Sequence, residues 1–240
     1  MFPLHDENPT VRRPVATIII IGLNVAAWFF LQGMGSARPL AGSLCQFALF
    51  PGDLLGLIPA GVVTPVGDGL GCALGNKLSW YTPVTSMFMH GGWFHVITNL
   101  WFLWVFGDNV EDAMGPYRFL AFYLLCGLAA AAAQTATNPT SIIPMVGASG
   151  AIGGVMGAYA RLYPRARIRT LVFVMVVSVP AMVMLGYWLI IQILGGLPAL
   201  GGEGGGVAFW AHIGGFVSGL LLIGLFRRPE YVRQHLHYGR

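Results

Sequence analysis

The sequence predicts an all-α membrane protein: a bundle of six transmembrane helices with both termini on the cytoplasmic side. Three observations predict it: the apolar composition, the number and length of the apolar runs, and the placement of the basic residues. Of 240 residues, 56% are hydrophobic and 9% are charged, against roughly 25% charged in ordinary soluble domains. A soluble chain of this size cannot keep so much apolar surface out of water. The 34 glycines and 15 prolines are scattered through the apolar segments, as membrane helices tolerate better than soluble ones. The formal net charge of +4 is distributed as a membrane orientation signal, so no nucleic-acid partner is expected.

The first apolar run is Val15–Leu31. Asp6 and Glu7 precede it and no A-x-A-like cleavage site follows it, so it reads as a retained span and not a secretory signal. Further runs cover 84–106, 117–135, 149–163, 171–194 and 207–226, long enough to cross or nearly cross a bilayer. A long Gly- and Pro-rich loop, 32–83, separates the first two. The expected organisation is a cytoplasmic segment 1–14, one membrane domain 15–226 and a cytoplasmic tail 227–240. With six spans, Arg12, Arg13, Arg118, Arg161, Arg165, Arg167, Arg169, Arg227, Arg228, Arg233 and Arg240 all fall on one side. Only Arg38 and Lys77 fall on the other. An excess of Lys and Arg marks the cytoplasmic face; the loops 32–83, 137–145 and 195–206 are then expected to face outward.

Polar groups inside membrane spans are functional hypotheses by default, and three clusters stand out. The second span opens with His90-Gly-Gly-Trp-Phe-His95-Val-Ile-Thr-Asn99, in which His95 and Asn99 share a helix face at i and i+4. The fourth opens with Gly147-Ala148-Ser149-Gly150. The sixth carries Ala211-His212-Ile213-Gly214-Gly215-Phe216-Val217-Ser218-Gly219.

The fourth span is short. From Ser149 to Arg161 is twelve residues, about 18 Å of helix against a hydrocarbon core of about 30 Å. The helix therefore begins inside the membrane and 139–146 dips in to meet it, where irregular backbone needs protein or a water-filled cavity beside it. Counted from the first cytoplasmic charge of each span, His212 lies about 22 Å deep, His95 about 20 Å and Asn99 about 14 Å. Gly150/Gly154 and Gly215/Gly219 are small-xxx-small pairs, which let helices approach closely. Packing the fourth span against the sixth on these faces would bring Ser149 within reach of His212.

These motifs resemble the rhomboid family of intramembrane proteases over roughly residues 80–226, and the opening PLHDENPT resembles the start of many bacterial members. The resemblance implies a six-span core with cytoplasmic termini, Ser149 as nucleophile and His212 as general base. It also implies that His95 and Asn99, with the Ser149 backbone N–H, stabilise the oxyanion. Gly147 and Gly150 fall in the G-x-S-G turn, and Glu111 resembles the acidic residue that closes the second span. Two departures stand out. The region before His90 reads Ser79-Trp80-Tyr81-Thr82, without the Trp-Arg of many members, so no role is carried over to the first loop. Gly153 stands where an aromatic often stacks on the catalytic histidine, so other packing must orient His212.

The chemistry is coherent on the residues alone. A serine hydroxyl is a weak nucleophile and needs a base within hydrogen-bond reach, and histidine serves near neutral pH. No Asp or Glu falls within the predicted spans, which leaves a Ser–His dyad. Lys77 sits in the first loop, against a Ser–Lys pair, and Glu203, in a glycine-rich loop, is given no role. The expected activity is endopeptidase cleavage of single-span membrane proteins that enter from the lipid of a bacterial inner membrane. The alternatives are a non-catalytic rhomboid-like binder of membrane clients, or a small transporter; the retained Ser–His pair argues against the first, and the lack of intramembrane acids against the second.

Taken singly, the same residues have plainer readings. GASG is common at helix contacts, Asn99 reads as interhelical glue, His95 as an interfacial residue, and His90 as a structural hydrogen-bonding residue. Trp93, Trp101, Trp104, Trp188 and Trp210 read as lipid-facing or interfacial anchors, and His235 and His237 as tail residues. No metal or organic cofactor is indicated. Cys45 and Cys72 are expected to be able to pair, since their loop would face an oxidising compartment, and Cys126 reads as helix packing.

Overall fold

The computed structural model describes residues 1–75, 79–200 and 207–238. Lys77, Glu203, Arg240 and the second half of the expected 195–206 loop lie outside the described residues, as do the side chains of His235 and His237. The chain is mostly helical. It opens with strand β1 (Phe2–Asp6) and helix α1 (Val15–Ala26), which widens into a π-helical turn, Ala27–Leu31. The first loop is a structured cap: α2 (Ala37–Phe47), α3 (Pro51–Leu54), the hairpin β2 (Val62–Gly67) and β3 (Leu70–Leu74), and the short α4 (Thr82–Thr85). A disulfide joins Cys45 on α2 to Cys72 on β3 with the Cα atoms 5.1 Å apart, inside the range a disulfide spans.

Then come α5 (Trp93–Met114), α6 (Pro116–Thr137) and α7 (Ser149–Leu162), followed by the hairpin β4 (Arg167–Val172) and β5 (Met175–Pro180). The chain finishes with α8 (Ala181–Leu200), α9 (Phe209–Phe226) and α10 (Pro229–Tyr238). Among the described residues, Pro116–Thr137, Ala181–Pro198 and Phe209–Phe226 are long and apolar enough to cross a membrane, and Val15–Leu31 is a shorter apolar helix.

The structure departs from the expected spans at the second and the fifth. The second span does not run from residue 84. A 3-10 turn, Ser86–Phe88, and the extended Gly92 break the chain before α5 begins at Trp93, and α5 continues to Met114. The expected fifth span, 171–194, is displaced. Its first part belongs to the β4–β5 hairpin, Pro180 ends the strand, and α8 runs on to Leu200 through residues assigned to a loop. The β-branched run Val-Phe-Val-Met-Val-Val-Ser-Val is as apolar as a membrane helix, and a buried strand and a helix segment cannot be told apart by apolarity alone. The all-α expectation is corrected accordingly: two small antiparallel sheets, β1-β4-β5 and β2-β3, accompany the helices.

The N-terminal segment is therefore not a free tail. Phe2 pairs with Leu171 and Asp6 with Ile168, the Trp101 indole donates to the Pro3 carbonyl at 2.7 Å, and Asp6 accepts from Asn109 and the Tyr159 hydroxyl at 2.8 and 2.7 Å. Arg12 pairs with Asp112 at 3.0 Å and lies over the Tyr231 ring at 3.6 Å, which ties α10 to the same corner. Nothing local caps α1, whose first turn leaves backbone N–H groups without helical partners. Glu111, on α5, supplies the cap: its carboxylate accepts from the Ala16 and Thr17 N–H groups at 2.9 and 2.8 Å and from the Thr17 hydroxyl at 2.8 Å.

The core centres on α7. Every residue from Gly150 to Ala160 is buried, and α9, α6, α5 and α8 pack around it. A helix apolar and buried on all sides is an interior helix. The outer helices instead expose large aliphatic side chains, including Ile18, Ile19, Leu23, Leu221 and Leu225, as a lipid-facing surface does.

Candidate active site

Glycine allows α7 and α9 to touch along their backbones. A Cβ on Gly215 would collide with the Gly150 carbonyl oxygen, and one on Gly219 with that of Gly154. Neither obstacle is a flexible side-chain end, so only glycine fits. This approach sets the first residue of α7 opposite the first turn of α9: Ser149 Oγ lies 2.7 Å from His212 Nε2. The start of α9 is held by Gln134 on α6, whose side-chain oxygen accepts from the Ala211 N–H at 3.2 Å.

The segment before Ser149 is irregular and is pinned by backbone bonds. Leu49 and Met145 exchange N–H···O bonds at 3.1 and 2.7 Å, and the Gly147 N–H donates to the Ser86 carbonyl at 2.9 Å. Gly147 sits at φ +114°, a region that side chains rarely occupy. A Cβ there would fall 2.6 Å from His95 Nε2 and 3.4 Å from Asn99 Nδ2. The turn into α7 is therefore flanked by both α5 side chains that the sequence singles out. His95 Nδ1 accepts from the Gly91 N–H at 3.3 Å, which leaves the ring proton on Nε2, the nitrogen that faces Gly147. Asn99 is buried, and its Nδ2 has no hydrogen-bond partner among the described residues. The Ser149 N–H lies in the first turn of α7, where backbone donors have no helical partner. Three donors thus border the turn that carries the hydroxyl. A narrow cleft lined by Ser86, Met145, Gly147 and Ala211 reaches Ser149.

His90, completely buried, stacks edge-on against His95 with ring centroids 5.1 Å apart. The Gln32 side chain bridges its backbone, donating to the His90 carbonyl at 2.7 Å and accepting from its N–H at 2.9 Å. His90 braces the ring of His95 and does not border the cleft. Glu111 is remote from the cleft, at the capping site described above.

Two residues next to His212 were not anticipated, both on α8. Gln192 Oε1 lies 2.7 Å from His212 Nδ1, and the Trp188 ring packs tilted against the imidazole at 5.9 Å. The expectation that Trp188 is a lipid anchor is therefore corrected: its half-buried ring packs against His212 and Phe216. Trp93, Trp101 and Trp104 are substantially exposed, as anchors are. Gln192 carried a signal, being a polar side chain inside an apolar run. A second apolar groove, between α1 and the first loop, is lined by Leu23, Phe30, Phe47 and Phe88 and offers no reacting group.

A helical membrane protein with a serine and a histidine in contact at the start of its buried central helix is the class that fold and geometry define. A family model described as the Rhomboid domain matches residues 77–229, well over half of the chain, and the chain belongs to the rhomboid family. Among its relatives, Rhomboid-like protein 11, chloroplastic, of Arabidopsis thaliana is 38% identical over 80 residues, 33% of this chain and 28% of that protein. The Putative rhomboid protease YdcA of Bacillus subtilis is 33% identical over 96 residues, 40% of this chain and 46% of that one. The Rhomboid protease GluP of Bacillus subtilis is 38% identical over 79 residues, 33% of this chain and 15% of that one. The matched part spans less than half the length of each of these relatives.

Proposed function

We propose that this chain is an intramembrane serine endopeptidase that cleaves the membrane segments of single-span proteins with a Ser149–His212 dyad. One observation carries the reading: the hydrogen-bond contact between Ser149 Oγ and His212 Nε2 at 2.7 Å, on helices that approach closely enough only through glycine.

In this reading Ser149 Oγ attacks the scissile carbonyl carbon as its proton passes to His212 Nε2. The carbonyl oxygen becomes an oxyanion, received by the Asn99 amide, His95 Nε2–H and the Ser149 N–H. Collapse breaks the C–N bond, with the imidazolium giving its proton to the leaving amine. Water, deprotonated by the same nitrogen, then hydrolyses the acyl-enzyme and frees Ser149. Gly147, Gly150, Gly215 and Gly219 hold the two reacting groups together. The bonds of 145–147 to Leu49 and Ser86 satisfy irregular backbone that would otherwise be costly at membrane depth.

The membrane arrangement belongs to the same proposal. Six spans, α1, α5, α6, α7, α8 and α9, form the domain 15–226, with residues 1–14 and 227–240 on the cytoplasmic side. The basic residues support this orientation, and the cell membrane of a bacterium is the expected site. Substrates reach the cleft laterally from the lipid and must unwind locally, because a nucleophile needs an extended carbonyl. Ser149→Ala tests the nucleophile. The variant should express and keep its helicity, since alanine suits a tight helix contact, and should leave a model single-span substrate intact. Substantial residual cutting by the purified variant would exclude Ser149.

A further inference from the structure

The family resemblance implies an aromatic ring at position 153, stacked on the histidine. Here the backbone leaves no room for one: a Cβ on Gly153 would already lie 2.9 Å from the His212 carbonyl oxygen. What faces the imidazole instead comes from α8. Trp188 lies against one side of the ring at 5.9 Å. One turn further on, Gln192, only 7% exposed, places Oε1 2.7 Å from Nδ1.

The amide has only one sensible orientation. Gln192 Nε2 lies 3.4 Å from the Trp188 carbonyl oxygen, to which it donates. The nitrogen is thereby committed to its own helix, and the oxygen faces His212. An acceptor at 2.7 Å requires a proton on Nδ1. A neutral imidazole carries one ring proton, so Nε2 keeps its lone pair, and it keeps it facing Ser149 Oγ. The opposite tautomer would set the Nδ1 lone pair against the Gln192 oxygen and leave no base at the serine.

We propose that Gln192 is a positioning residue: it holds His212 in the tautomer and ring orientation that make it a base toward Ser149, and it stabilises the imidazolium once the proton has moved. This rests on the Ser149–His212 reading. Among the described residues, the groups around His212 are Ser149 from α7, Trp188 and Gln192 from α8, Gln134 from α6 bonding the adjacent Ala211 N–H, and, beyond the serine, His95 of α5 with His90 against it. Among the described residues, no carboxylate hydrogen-bonds the ring. A neutral amide with both ends bonded here supplies the acceptor that a carboxylate supplies in a serine–histidine–aspartate triad.

The test uses the full chain in lipid nanodiscs with ¹⁵N-labelled histidine. In the parent, His212 should show a protonated Nδ1 and an unprotonated Nε2. Gln192→Met, similar in size but with no strong acceptor, should lose that preference. Its kcat on a model single-span substrate should fall roughly 10- to 100-fold, as a poorly oriented base does, with KM within about twofold. Gln192→Glu restores an acceptor and should recover most of the Nδ1–H signal and of the rate. A parent ring protonated on Nε2 would overturn the proposal. So would a Gln192→Met variant with the parent's kcat, or a Gln192→Glu variant as slow as Gln192→Met. If instead the parent cuts nothing and Ser149 resists acylation, the serine–histidine reading falls and takes this one with it. A cutting parent with an indifferent Gln192→Met removes this proposal alone.

Discussion

A buried amide without a partner is costly in a protein interior, and Asn99 Nδ2 has none among the described residues. It borders Gly147, two residues before Ser149, where the proposed mechanism places negative charge on attack. Losing one of several oxyanion donors should reduce turnover about 100- to 1,000-fold and should change binding much less, because the full charge exists only near the transition state. Asn99→Ala is therefore expected to lower kcat far more than it raises KM in single-turnover assays. Equal kcat would return Asn99 to interhelical packing. Asp6 makes the second prediction at this scale. Burial, reinforced by Asp108, lifts its carboxyl from 3.8 to about 7, although the Tyr159 hydroxyl bond pulls the other way. The folded chain thus holds this proton more tightly than the unfolded chain. The stability it contributes is fully present below about pH 4 and is lost as pH rises through about 7. Docking of β1 should be firmer at pH 5.5 than at pH 8, read as protection of the N-terminus from an added protease, and Asp6→Asn should flatten that difference.

At the scale of elements, the α7–α9 contact sets the geometry of the candidate dyad. Gly215 faces the Gly150 carbonyl directly, and no backbone neighbour can move aside cheaply. Gly215→Val should push the helices apart by an ångström or more, with a loss of about 100-fold or greater in activity while circular dichroism stays unchanged. Full activity would refute the role of this face. The close approach of α7 and α9 was legible in the sequence, because glycines four apart leave an unmistakable stripe. So was the short α7, whose distance from Ser149 to Arg161 is too small for a complete span. The β4–β5 hairpin was not legible, since its apolar, β-branched residues satisfy the criteria for a span and its partner strand, Phe2–Asp6, lies at the far N-terminus. Nor was the cap on α1: Glu111 reaches it across the bundle, and no local pattern announces such a contact. Gln192 was visible as a polar residue in an apolar run, but its target is another helix and depends on the rotation of α8, which α8's near-uniform apolarity does not encode.

For the molecule as a whole, the proposed orientation rests on charge. Nine of the eleven arginines assigned to the cytoplasmic side lie at or beyond residue 118, around the β4–β5 hairpin and the end of α9. Arg12 and α10 join that same corner through Asp112 and Tyr231. Cysteines placed singly at 165 and at 60, in a background in which Cys45, Cys72 and Cys126 are replaced, should label from opposite sides of the membrane with an impermeant maleimide. Labelling of both from the same side would overturn the six-span arrangement.

The central claim is that Ser149 is a nucleophile activated by His212, and acylation tests it without any assumption about substrate. A fluorophosphonate probe applied to the purified chain in detergent should label Ser149, identified by peptide mass, and His212→Ala should abolish the labelling while the fold persists. A folded parent that resists the probe, or a His212→Ala variant that labels as fast as the parent, would contradict the account.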